Sequence, residues 1–318
     1  MKLFLRALPL VFLFTLAACN DDDDAPVPSS SNNANGNALL TGISDTRSNG
    51  EIVALGSIRA VTEGSTSLRQ AASRMEVPRL QGGSDNLFVV HTVKDFGINY
   101  CIEWNNTLRA QRWSAYRWDK SNSITRASRT NEWSEDPLIP YNYRTTYDDH
   151  RANGYDRGHM LGSQDRVNSY EANVQTFYYS NMHPQLSGFN GDGIWWNLEN
   201  RLRSKYNTER FRDTLYVVKG GTIGEGQYTM ARKIPVPKYF FMAVLRKRND
   251  ISLNGGYAAV GFGMKHEENT DTDYEKYAVS IDRLEELTGL DFFCNLPDDI
   301  ENEVERNYST VVWFGPNL

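Results

Sequence analysis

The sequence predicts an α+β fold: a central twisted antiparallel sheet flanked by helices. Three observations point there. Leu87 to Val93 (LFVVHTV) and Ile98 to Trp104 are strand-like runs joined by a turn at Asp95 to Gly97, the pattern of a hairpin. Further on, Thr214 to Lys219 (TLYVVK), Lys238 to Leu245 (KYFFMAVL) and Tyr257 to Met264 (YAAVGFGM) are strand candidates separated by Gly-rich or charged turns. Between these sets, Trp195, Leu198, Leu202 and Tyr206 recur at helical spacing, so a helix with one apolar seam interrupts the strands.

The chain opens MKLFLRALPLVFLFTLAAC, with basic Lys2 and Arg6, an apolar run and then small residues, the pattern of an export signal too short to span a membrane. Leu16, Ala17, Ala18 and Cys19 resemble the lipobox of bacterial lipoproteins. That resemblance implies a lipid anchor to the membrane at Cys19 and an exported, outer-membrane lipoprotein. The alternative is an ordinary signal peptide that happens to hold a cysteine. The acidic run Asp21 to Asp24 resembles signals that send such proteins to the cell surface. Residues 20 to about 50, rich in Asp, Ser, Asn and Pro, read as a flexible tether. Residues 51–83 read as either a small strand pair or more linker. The expected division is therefore a signal peptide over 1–19, a tether and ill-defined segment over 20–85, and a catalytic-type domain over 86–318.

Within that domain, Arg112 to Trp118 alternates only in part, and its aromatics suit a sheet edge packed on a core. Arg126 to Pro137 is a loop, because Pro137 and Pro140 break any period. Tyr277 to Ile281 reads as a short strand leading into the helical run DRLEELTGL, with Asp282 as cap and Leu284, Leu287 and Leu290 buried. Val311 to Phe314 closes the chain.

With 318 residues and 40% hydrophobic content the chain can bury a substantial core. Its net charge of -6 argues mildly against a nucleic-acid binder that works by bulk electrostatics. Asp21 to Asp24 sit in the tether, however, and Arg157, Arg166, Arg201, Arg203 and Lys205 cluster in the middle of the chain, so a local cationic cleft is still expected. Cys101 and Cys294 permit a disulfide in an exported protein and otherwise read as small core residues. No CxxC or His cluster accompanies either, which leaves no zinc site.

The chemistry concentrates between Tyr155 and Arg203, in YDRGHM, SNMHPQLSGFN and WWNLENRLR. Cutting a phosphodiester needs a base for water, positive charge on the non-bridging oxygens and stabilisation of the leaving oxygen. His159 can serve as base near its ordinary pKa of about 6.5. Arg157 offers a planar donor fork, and Gly158 would allow a tight turn or close approach of a phosphate. Glu199 and Arg203, four apart, share a helix face, although alone such a pair is usually a surface ion pair. Asn190, in a Gly-rich turn, is either a cap or a hard-oxygen ligand suited to Mg2+. His150 reads as a loop residue, and His183 as lying behind the site or exposed. His91 and His266 have no chemical company.

Together these residues resemble the DNA/RNA non-specific endonucleases, the ββα-metal (His-Me finger) nucleases with an Asp-Arg-Gly-His motif. Ser180, Asn181, Pro184 and Gln185 match the family's next segment. Asn190 follows Asn181 by nine residues, and Trp195, Leu198 and Glu199 match the Trp-x-x-Leu-Glu run. Ala278 to Phe293 resembles the family's closing helix and strand. The resemblance covers residues 86 to the end and implies a ββα finger with His159 near a strand end and Asn190 at the head of the helix.

It further implies His159 as general base and Asn190 as the direct ligand of hydrated Mg2+, with Mn2+ as a substitute. Glu199 would support the metal's waters and Arg203 would bind phosphate. Arg129, with Arg126 as the second choice, would stabilise the transition state. Arg157 would be a phosphate or site-shaping residue and Asp156 a structural acceptor. The chain departs from the pattern in GDGI, one residue longer than expected before Trp195, which leaves Asp192 as an extra candidate ligand. It also reads MLGSQDR after His159 where the family often has Pro. The activity implied is metal-dependent cleavage of DNA and RNA through their backbone phosphates, with little sequence specificity and 5'-phosphate products. The other readings are a catalytically silent nucleic-acid-binding lipoprotein and a small-substrate phosphodiesterase.

Overall fold

The computed structural model describes residues 37, 50–63, 66–151, 154–224, 227–229 and 234–316. The export signal and Cys19 lie outside the described residues. A nine-stranded sheet organises the fold: β1 (Val53–Leu55), β2 (Ile58–Thr62), β3 (Asn86–Val93), β4 (Gly97–Asn105), β5 (Ala110–Trp118), β8 (Thr214–Gly221), β9 (Tyr239–Lys247), β10 (Tyr257–Lys265) and β11 (Ala278–Val279), in that spatial order. All neighbours are antiparallel except β2 and β3. Between β5 and β8 the chain leaves the sheet to form the pair β6 (Asp156–His159) and β7 (Met182–Gln185).

The helices are α1 (Leu68–Ala72), α2 (Tyr147–His150), α3 (Tyr170–Gln175), α4 (Ser187–Asn190), α5 (Ile194–Arg201), α6 (Ile281–Thr288), α7 (Asp298–Arg306) and α8 (Thr310–Phe314).

Both faces of the sheet are covered, which is why strands such as LFVV show no polar alternation. Leu87, Val89, Tyr116, Val217 and Met242 point to one side, where they meet Met160, Phe189, Trp195, Leu198 and Leu202 of the inserted segment. Phe88, Val90, Trp113, Val218 and Phe241 point to the other, where α1, α6 and α7 lie. Complete covering also corrects the edge placement of residues 112–118. β5 is a central strand between β4 and β8, and its bulky Trp113 and Tyr116 serve opposite cores.

Packed structure begins upstream of Asn86. Residues 53–62 are a strand pair whose second member runs parallel to β3. Asn37, placed by the sequence in the tether, is 2% exposed; its side chain donates to Pro78 O at 2.9 Å and accepts from Leu80 N at 3.1 Å. Cys101 and Cys294 are free thiols, both buried, and burial raises both their pKa values.

Towards the C-terminus, only Ala278–Val279 of the expected strand forms. Ser280 rather than Asp282 caps α6, its Oγ accepting from Arg283 N at 3.2 Å. Leu284 and Leu290 are buried, but Leu287 is 37% exposed, lying across Gly263 at the sheet surface. Among the described residues no strand follows α6, which is succeeded by α7 and α8 instead. In α8, Trp313 is buried against Tyr206 and Phe211, and Tyr206 donates to Trp313 O at 2.7 Å.

His91, which looked solitary in the sequence, is fully buried in β3. It stacks on Tyr100 at 4.4 Å and faces Asp136 at 3.1 Å. Burial opposes its charge, but Asp136 and Glu63 outweigh burial and raise its pKa to about 9. Between the ordinary 6.5 and 9 the unfolded chain has released this proton while the folded chain still holds it. His91 therefore contributes stability that is complete below pH 6.5 and lost as pH rises through 9. His91→Gln should be about 3 kcal/mol less stable than the parent at pH 6, because Asp136 loses its buried partner. Denaturant unfolding at several pH values should show that gap narrowing toward pH 9; a pH-independent gap would contradict the assignment.

Candidate active site

The inserted segment builds one face of an open cleft of about 570 Å³. Its frame is the β6–β7 pair, in register Asp156↔Gln185, Arg157↔Pro184, Gly158↔His183 and His159↔Met182. Side chains two apart on a strand share a side, so β6 sends Arg157 and His159 the same way, and both line the cleft. Gly158 between them is required for packing rather than for a turn: a Cβ there would sit 2.0 Å from Gln185 Oε1.

The end of β6 is clamped by Asn181. Its Oδ1 accepts from Leu161 N at 2.9 Å, and its Nδ2 donates to Leu161 O at 2.9 Å and Thr176 O at 2.8 Å. That is the work of the SN pair in the SNMHPQ segment; Ser180, for its part, donates to Asp136.

His159 sits against an aromatic wall, 5.4 Å from Trp133 and edge-on to Phe177 at 5.1 Å. Two arginines flank that wall. The Arg157 guanidinium lies 3.8 Å over Trp133, and that of Arg129 lies 4.8 Å over Phe177 while donating to Ser163 Oγ at 2.6 Å and Asn131 Oδ1 at 2.8 Å. Burial, followed by the nearby Arg129 charge, lowers the His159 pKa to about 3. The imidazole is therefore neutral at neutral pH and able to accept a proton.

Asn190 closes the short helix α4 instead of heading the long one. Its side chain makes no hydrogen bond to a described residue, and it lines the cleft. The GDGI turn folds tightly between α4 and α5, since a Cβ on Gly193 would lie 2.2 Å from Gly188 O. Asp192 in that turn is exposed and does not line the cleft, and neither does Arg126, the second choice to Arg129.

Glu199 and Arg203 follow on α5 and the wide π-type turn that continues it, 3.9 Å apart. Their main partners were not read from the sequence. Lys219 of β8, wholly buried, donates to Glu199 Oε1 at 2.8 Å and Asp165 Oδ2 at 3.2 Å; Arg203 Nη1 donates to Asp165 Oδ1 at 2.9 Å. Tyr116 OH adds a third bond to Asp165 at 3.0 Å. Burial opposes ionisation of Asp165, but Lys219 and Arg203 outweigh it and hold the carboxyl well below its ordinary value. Burial likewise opposes charge on Lys219, and Glu199 reverses that effect. The available signal was a lysine inside the otherwise apolar strand TLYVVK.

All six predicted site residues, His159, Arg157, Arg129, Glu199, Arg203 and Asn190, thus line one cleft. Asp156 lines it as well. His150 does too, and it is not a loop residue: it ends α2, is buried and stacks on Tyr179 at 5.1 Å. Burial lowers its pKa to about 4. His183 is buried in β7, and burial lowers it to about 3. His266 accepts from Leu186 N at 2.8 Å through Nε2 and pairs with Pro237 O at 3.0 Å through Nδ1, so it holds the entry to α4. Four arginines against two acids line the cleft, making it cationic on an acidic chain. Its oxygen ligands suit a hard cation: an uncommitted carboxamide at Asn190 and the carboxylate of Glu199, whose Oε1 already accepts from Lys219, with no group of three His, Cys, Asp or Glu ligands there among the described residues. A metal so held would keep most of its water.

Comparison with known proteins agrees with this geometry. The family model of the DNA/RNA non-specific endonucleases matches residues 88–299. A nuclease of Nostoc sp. is 30% identical over 213 residues, 65% of this chain and 75% of that one. Nuclease C1 of Cunninghamella echinulata is 31% identical over 222 residues, 64% of this chain and 85% of that one. The human mitochondrial nuclease EXOG is 29% identical over 226 residues, but this chain spans only 58% of its length. The crystal structure of the EndoG/EndoGI complex superposes with a TM-score of 0.56 at 23% identity, over 68% of this chain and 90% of that one, and shares the α+β fold. The chain belongs to the DNA/RNA non-specific endonuclease family.

Proposed function

We propose that this protein is a divalent-cation-dependent nuclease that hydrolyses phosphodiester bonds in DNA and RNA. Sequence preference is weak, and the products carry 5'-phosphate and 3'-hydroxyl ends. One observation carries the reading: a neutral imidazole, two flanking guanidinium groups and an uncommitted carboxamide all face one cationic cleft.

His159 removes a proton from the water that attacks phosphorus opposite the leaving 3'-oxygen. Burial keeps the ring neutral beforehand, and the tilted contact with Trp133 and the edge-on contact with Phe177 hold its plane. Arg129 and Arg157 donate to the non-bridging oxygens as negative charge grows there, a role for which preorganised donors count most. Arg203 binds phosphate with the donors it does not spend on Asp165 and Asn200. Glu199 accepts from Lys219 Nζ at 2.8 Å and lines the cleft. Asn190 would hold Mg2+, with Mn2+ as substitute, and Glu199 would support the metal's waters; the metal would supply Lewis-acid stabilisation of the leaving oxygen. Contacts made by arginines to phosphates carry little base information, so both nucleic acids fit.

The full chain should nick plasmid and degrade RNA with Mg2+ and do neither in EDTA. His159→Ala should lower the rate by about 10²- to 10⁴-fold with the circular dichroism spectrum unchanged. Retention of DNA without strand breaks, or an H159A variant as active as its parent, would instead favour a silent binding protein. Preferential cleavage of small activated diesters would favour a phosphodiesterase.

Lys219→Met should destabilise the fold by about 3–5 kcal/mol in denaturant unfolding, because the buried carboxylates of Asp165 and Glu199 then share Arg203 as their one ion-pair partner among the described residues. We further propose that the protein is exported and anchored through Cys19, on the strength of the LAAC run and the apolar segment before it. Cys19→Ala should then move the protein from the membrane fraction to the soluble fraction and abolish incorporation of labelled palmitate.

A further inference from the structure

On the sheet face away from the cleft, α6 and α7 pack side by side against β10. α6 presents Asp282 and Glu285, three apart and therefore on one side of the helix. α7 presents Glu305 from its last turn. One oxygen from each of the three lies within 4.8 Å of the others, and no other such group occurs among the described residues.

Convergence of acids is not by itself a site; the state of Glu305 is what asks for a ligand. This residue is 7% exposed, and its Oε1 is buried without any hydrogen-bond partner. Among the described residues no lysine or arginine forms an ion pair with Asp282, Glu285 or Glu305; the basic neighbours Arg283 and Arg306 pair with Glu286 and Glu303 instead. The charges acting on Glu305 come from Glu285, Glu301, Asp291 and Asp282, all acidic, and its place in the last turn of α7 adds the negative end of the helix dipole. A buried carboxylate in such surroundings must gain a proton or a cation.

The geometry favours a cation. Oxygens of the three acids lie within 4.8 Å of one another, near enough to share one ion; three carboxylates suit Ca2+, which takes about six to eight oxygen ligands, better than Mg2+, which is usually held by one or two carboxylates and keeps its waters. Exposed Asp282 leaves the mouth open to solvent and water ligands, and half-buried Glu285 is oriented by accepting from Phe292 N at 2.7 Å.

We propose that Asp282, Glu285 and Glu305 form a structural Ca2+ site that ties α6 to α7. It is separate from the cleft, sharing neither residues nor sheet face with it, and does not depend on the nuclease reading.

The test uses the full-length Asn190→Ala chain, in which the cleft's candidate ligand is removed, stripped with EGTA and titrated with CaCl2. Calorimetry should register one Ca2+ per chain, and saturating Ca2+ should raise Tm by about 5 °C. On the same background Glu305→Gln should abolish both effects, and without Ca2+ it should melt above its parent because one buried charge is gone. Asp282→Asn, at an exposed position that leaves folding intact, should weaken binding about tenfold through loss of one charged ligand. No heat and no Tm shift in the N190A chain would overturn the site, since the three acids would then be held neutral by shared protons. Undiminished Ca2+ binding by the E305Q and D282N variants would overturn it equally.

Discussion

The charge quartet of buried Lys219, Asp165 and Glu199 with partly exposed Arg203 is the interaction on which the cleft depends. It joins the central strand β8 to the loop after β6 and to the helix α5, three segments distant in sequence. Each close pair is worth about 5 kcal/mol of attraction at 3 Å and an effective dielectric of about 20, and burying each ion costs a similar several kcal/mol. The near-cancellation means that the quartet adds little net stability. It makes one geometry much better than any other, because moving a single member strands a charge in the core.

That constraint explains how an acidic protein presents a cationic cleft. Lys219, Asp165 and Glu199 balance much of one another's charge below the surface, so the arginines above them face outward with little opposition. The aromatic wall works with the quartet. Trp133 and Phe177 cover one side of the His159 ring and supply π faces to Arg157 and Arg129, so a single packed unit sets the surroundings of the imidazole and the position of both cations. Asn181 completes the frame by fixing the backbone just after β6 with two hydrogen bonds to Leu161 and tying it to Thr176 with a third.

Much of this was legible in the chain because the signals are local. The periodic seam Trp195, Leu198, Leu202 and Tyr206 marks a helix wherever it packs, and all four residues are fully buried. The spacing from the Asp-Arg-Gly-His motif to Asn190, Glu199 and Arg203 was likewise readable, and these residues share one cleft. Readings that needed a partner from elsewhere went astray. β5 was taken for an edge because alternation is blurred when both faces are buried. His91 and His150 seemed unremarkable because Asp136 and Tyr179, their partners, come from distant segments. Leu287 sits on the inner stripe of its helix in sequence, yet the contact below it is a glycine that leaves it partly in the open.

By itself, then, the sequence determined the main strands and the long helix after Asn190 and singled out the residues that line the cleft, since hydrophobic period, turn residues and motif spacing act within a few residues of one another. Tertiary structure alone decided the order of nine strands, the neutrality of His159, the pairing of Lys219 with two carboxylates and the burial of Glu305. Those outcomes depend on desolvation and on charges brought together across the chain, and neither exists until the sheet has closed around them.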